Sequence, residues 1–104
     1  MKTLEICPDY RTGRVTYAEP HIKAYTLIEE QRCWCKGAMR RVYPKHVARC
    51  AMEAINEAYR GDESGRNRAL TKLYNSIEGW SDIPTWNDCT NHETVYQRMK
   101  DLDI

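Results

Sequence analysis

The chain has 104 residues, enough for one compact domain (residues 1–104) with little room for a second. Charged residues make up 30% and the mean hydropathy is −0.78, so much of the chain is solvated; no run approaches the roughly 18 consecutive apolar residues of a membrane helix. Sixteen Lys and Arg stand against fifteen Asp and Glu, and five cysteines are too few for a disulfide scaffold. With no apolar signal core after Met1, these features lead to the expectation of a soluble cytoplasmic domain.

In chain order, Thr3-Leu4-Glu5-Ile6-Cys7 and Arg14-Val15-Thr16-Tyr17-Ala18 alternate in polarity, as half-buried strands do. The stretch between them, ending at Gly13, has turn chemistry, so an N-terminal β-hairpin is expected. Pro20 suits a first helical turn, and Ile22, Tyr25 and Ile28 then fall on one face of a helix over about 21–31. The same stretch also alternates as a strand through Ile22, Ala24, Thr26 and Ile28.

Pro44 and Gly61 bracket an Ala-rich stripe of Val47, Ala51, Ala54, Ile55 and Ala58, which reads as a long helix. Asp62-Glu63-Ser64-Gly65 breaks the chain and caps another near 66–79, with Leu70, Leu73, Tyr74 and Ile77 as its core face. Ser81 to Asp88 reads as a loop. Thr90-Asn91-His92-Glu93 has the capping-box form, before a last helix with Val95, Met99 and Leu102 inward. The expected architecture is α+β, a single small domain with an N-terminal β-hairpin followed by three or four helices.

The near-neutral total conceals a pattern. Arg32, Lys36, Arg40, Arg41, Lys45 and Arg49 occur with no acid between Arg32 and Cys50, whereas Glu78 to Ile104 carries six acids and two bases. The basic block can meet phosphates or an acidic protein, or face the acidic C-terminal block within the fold.

Cysteines cluster in the same block. Cys33, Cys35, His46 and Cys50 form a C-x-C-x10-H-x3-C pattern, and three thiolates with one imidazole are a tetrahedral zinc set. His46 and Cys50 stand at i, i+4 in the helix that follows Pro44, so both side chains reach one locus. That H-x3-C resembles the second half of a zinc finger, although the first half departs from the usual spacing. The alternative is four small buried side chains without metal. A Cys50 nucleophile paired with His46 lacks an orienting partner and oxyanion donors, and no G-x-S-x-G, H-E-x-x-H or phosphate loop occurs. A non-enzymatic role is expected.

All ten aromatics are Tyr or Trp, residues with a polar handle that are enriched at interfaces. Trp34 lies among bases and Trp86 in the Pro-containing stretch. The expected partner-binding set is Arg32, Trp34, Lys36, Arg40, Arg41, Tyr43, Lys45, Arg49 and Trp86. The expected function is that of a small interaction protein, such as an inhibitor, adaptor or phage-type accessory factor, whose partner is a protein or a protein–nucleic acid complex. The alternative is a nucleic-acid-binding module, stapled by zinc at the Cys/His cluster, in which aromatics stack bases and cations meet phosphates.

Overall fold

The computed structural model describes residues 22–104. The hairpin expected over residues 3–18 lies outside the described residues. Within them the architecture is α+β, five helices and a two-stranded antiparallel hairpin. The order is α1 (Ala24–Leu27), a 3-10 turn (Gln31–Cys33), β1 (Arg40–Val42), β2 (Val47–Arg49), α2 (Ala51–Ala58), α3 (Glu63–Ser76), α4 (Ile83–Asp88) and α5 (His92–Asp101).

The largest departure from expectation is at 40–49, where the helix proposed to begin at Pro44 is instead a hairpin. Pro44 fixes φ near −65°, which serves a turn as well as a helix start, and it disfavours helical geometry at Tyr43 before it. Tyr43 N–H donates to the His46 carbonyl at 2.9 Å, closing a tight turn over Pro44 and Lys45. Val42, Tyr43 and Val47, β-branched or aromatic, fit the flanking strands. The helix proper starts only at Ala51, with the Cys50 sulfur as its cap, accepting from Glu53 N–H at 3.4 Å.

The expected 21–31 helix is a single turn followed by a 3-10 turn. Ala24 and Ile28 are its buried residues, while Ile22 is exposed. The third helix begins three residues earlier than expected, capped by Asp62, whose Oδ1 accepts from Gly65 N–H at 2.9 Å. A Cβ on Gly65 would stand 2.3 Å from that carboxylate, so glycine is what lets the cap close. The inward face of α3 is Gly65, Ala69 and Leu73, followed by Ile77; Tyr74, expected inside, is exposed.

The stretch 81–88, read as a loop, contains α4. Asp82 accepts from Thr85 N–H at 2.8 Å, and Pro84 occupies the first turn, where its missing N–H costs nothing. The last helix keeps Val95 and Met99 buried as expected. Its cap is Asn91, accepting from Thr94 N–H at 2.8 Å, one residue beyond the proposed Thr90. Thr90 instead donates its hydroxyl to the Trp86 carbonyl.

Helix α2 is central, packing on α1, α3 and α4, and α1 also packs on α5. The core joins Ala24, Ile28, Ala51, Ala54, Ile55, Leu73, Ile83, Trp86, Val95, Met99 and Ile104, among others. The alanines of α2 allow this close approach of several neighbours, as the Ala-rich stripe implied. Arg98 donates to the Ser76 carbonyl at the C-terminal end of α3, tying α5 to it.

Candidate interaction surface

The segment that lies beside the hairpin is held to the helical core through one buried amide. Asn87 on α4 is fully buried. Its Oδ1 accepts from the Trp34 indole N–H at 2.7 Å and from Ala51 N–H at 3.0 Å, and its Nδ2 donates to the Cys35 carbonyl at 3.0 Å. A buried amide with its donors and acceptor engaged is a rigid fixture. Next to it, Asp88 accepts from Gly37 N–H at 2.8 Å, where Gly37 has φ +80°, a conformation that favours glycine.

These bonds hold the extended segment at Trp34–Cys35 against β2. Trp34 forms a parallel bridge with Arg49, and Cys35 N–H donates to the Arg49 carbonyl at 3.1 Å. On its other side β2 pairs antiparallel with β1, matching Arg40 with Arg49, Arg41 with Ala48 and Val42 with Val47. Strand β1 is exposed throughout.

Arg40 and Arg49 are directly opposite, a like-charged pair that by itself weakens the hairpin. Glu57, rising from α2, offsets this. Its carboxylate lies 2.8 Å from Arg49 Nε, as an ion pair without hydrogen-bond alignment, and 3.8 Å from an Arg40 guanidinium nitrogen. Burial alone would raise the Glu57 carboxyl; the Arg49 guanidinium, and then Arg40, hold it below its ordinary value instead. Arg32 pairs with its neighbour Glu30 at 2.8 Å. Among the described residues, the ion pairs of the basic block therefore run to Glu30 and Glu57, not to the acidic C-terminal block.

The expected partner-binding set divides. Trp86 is 4% exposed and belongs to the core, because the supposed loop is a helix turned inward. It is withdrawn from the surface. Trp34 is half-buried, its N–H spent on Asn87 and its ring 5.8 Å from that of His92. Arg49 is committed to Glu57. Lys36, Arg40, Arg41, Tyr43 and Lys45 remain exposed and together on the hairpin and its approach. Arg41 reaches back to the Lys36 carbonyl at 3.1 Å, and Lys36 and Lys45 make no ion pair among the described residues.

Sequence reasoning named Tyr43 but missed the aliphatic part of this surface, Met39 and Val42. Met39 is 42% exposed, Val42 70% and Tyr43 43%. The Tyr43 ring is backed by His46, with centroids 4.7 Å apart and planes 21° from parallel. The Arg-Arg-Val-Tyr-Pro run carries the signal in hindsight, as a strand whose two faces both lack a core partner.

The proposed metal ligands do not converge. His46 is at the turn and Cys50 at the base of β2, so four residues of extended chain put about 13 Å between them, where a helix would have put one turn. Cys33 is half-buried in the 3-10 turn. Among the described residues no three His, Cys, Asp or Glu side chains are arranged to hold a metal ion. Cys35 and Cys50 are the pair that is brought together, both buried beneath the hairpin.

Fold and surface together define a small α+β domain that presents a basic hairpin with an apolar centre. The chain belongs to the family of unknown function DUF6197, whose model matches residues 14–101. No curated protein matches the chain, and no solved structure does. None of the helices in the described residues is long and apolar enough to cross a membrane.

Proposed function

We propose that the protein is a non-enzymatic interaction protein that uses its β1–β2 hairpin to bind an acidic protein surface. The observation that carries this reading is the exposure of Met39, Val42 and Tyr43 on and beside β1, interspersed with the exposed Lys36, Arg40, Arg41 and Lys45. An apolar centre with a charged rim is the common anatomy of a protein interface. Among the described residues the outer edge of β1 has no strand partner, and an extended partner segment can pair along such an edge. Val42 and Met39 favour protein over nucleic acid, because aliphatic side chains gain from a partner's apolar side chains and stack poorly on bases.

The test is a pull-down from the native host with the wild-type chain and with Arg41→Glu/Lys45→Glu, each with and without nuclease. A protein retained by wild type after nuclease treatment, and lost with the double variant, is the expected result. Capture abolished by nuclease would move the assignment to nucleic acid. Capture unchanged by the double variant would remove the hairpin from the interface.

A further inference from the structure

We propose that Cys35 and Cys50 form a dithiol that a low-molecular-weight disulfide oxidises to a reversible crosslink at the base of the hairpin. The register carries the inference. Trp34 and Arg49 are bridge partners in a parallel pairing, so Cys35 and Cys50 are the next residues in step. Their side chains leave the same face, opposite to Trp34 and Arg49. Neighbouring strands lie about 4.8 Å apart, inside the roughly 4.4–6.8 Å Cα separation of disulfides.

The two sulfurs are also directed at adjacent residues of one segment. Cys35 Sγ donates to the Ala38 carbonyl at 3.4 Å, and Cys50 Sγ lies 3.8 Å from Met39 Sδ. Cys50 stands where β2 ends and α2 begins, its N–H bonded to the Met39 carbonyl at 2.8 Å and its sulfur capping α2, so closing the crosslink means releasing that cap. Cys33 and Cys89 do not share this arrangement: one is half-buried in the 3-10 turn, the other exposed after α4.

The chemistry balances as thiol–disulfide exchange. The thiolate of Cys35 attacks one sulfur of the small disulfide and expels a thiol. Cys50 then attacks the sulfur of Cys35 in that mixed disulfide and expels the second thiol. Two protein thiols lose two electrons and two protons, and the small disulfide becomes two thiols. Burial pushes both cysteine thiols above their ordinary value, an effect that Arg41 partly offsets at Cys35. Exchange is accordingly slow at neutral pH and faster in mild alkali, with Cys35 the first nucleophile. The bend of residues 36–39 lies beside Cys35, whose sulfur donates to the Ala38 carbonyl, and transient opening of that bend would admit the reagent.

The experiment uses the full chain with Cys7, Cys33 and Cys89 replaced by serine, its fold checked by circular dichroism, and glutathione disulfide as the probe. Expected is an intact mass lower by two hydrogens, loss of both titratable thiols, and a peptide map joining Cys35 to Cys50, all reversed by dithiothreitol. Glutathione adducts without the internal bond, or a crosslink that forms only in denaturant, would overturn the proposal. Should the triple variant not fold, the wild-type chain is treated in the same way, and the peptide map reads the same outcomes: a Cys35–Cys50 linkage supports the proposal, and linkages confined to other cysteines refute it.

Discussion

At the scale of single residues, Asn87 does more than its size implies. It sits in the core, and besides the adjacent Asp88 carboxylate its hydrogen-bond partners come from three separate places: the Trp34 indole, the Cys35 carbonyl and the first amide of α2. Removing the amide leaves two donors, the Trp34 indole and the Ala51 N–H, and one acceptor, the Cys35 carbonyl, without their partner, at about 1–3 kcal/mol for each that water does not reach. Asn87→Ala should therefore lower the unfolding free energy by about 2–5 kcal/mol in urea, and shift Trp34 emission as its indole loses its acceptor. A loss below about 1 kcal/mol would mean that water replaces the amide. Glu57 makes a second residue-scale case. Its carboxyl is held below its ordinary 4.5 in the folded chain, so it adds stability above pH 4.5 that disappears as the pH falls through its folded value. Glu57→Gln should cost about 1–3 kcal/mol at pH 7, discounted for partial exposure. The gap from wild type should close in acid, as pH-dependent urea titrations would register.

At the scale of elements, what the sequence disclosed depended on whether the deciding force was local. The Ala51–Ala58 part of the Ala stripe and the Val95–Met99 face rest on helical periodicity and appear where the pattern put them, while the Asp62 break caps a helix that starts three residues before the expected position. The 40–49 stretch was misread because Pro44 fits two geometries and the choice is made by distant contacts, including Arg49 with Cys35 and Glu57. The zinc reading fell with it, since i, i+4 spacing means one turn on a helix and about 13 Å on a strand. Helix α4 was missed although Asp82 and Pro84 are ordinary start signals, because a six-residue helix is too short to show periodicity. Of the surface, the cations were legible as a block; the aliphatic part was not, because exposure of Val42 depends on what fails to cover it. The Asp82 cap offers a check on α4. Asp82→Ala should lower the urea unfolding midpoint and Asp82→Asn should lower it much less, since either side-chain oxygen accepts from Thr85 N–H. Equal losses for both would point to charge rather than capping.

At the scale of the whole molecule, stability and binding are assigned to different parts of the chain. The helices bury the core, and the hairpin hangs from it by Glu57 and by the adjoining segment that Asn87 and Asp88 hold, with its outer strand in solvent. Substitutions at Val42 remove nothing from the core, so Val42→Asp should change the unfolding free energy by less than about 0.5–1 kcal/mol. The same change puts a desolvated charge at the centre of the proposed interface, and partner affinity should fall by at least about tenfold. Ionic strength separates the two classes of partner. Four phosphate contacts through Lys36, Arg40, Arg41 and Lys45 would give a slope of about −3 to −4 in log affinity against log salt on duplex DNA. An apolar-centred protein contact with the same cations at its rim should be much shallower, because rim charges act mainly on the rate of encounter. A steep slope together with indifference to Val42→Asp would place a nucleic acid on the hairpin. A shallow slope with sensitivity to Val42→Asp is the result that a protein partner requires.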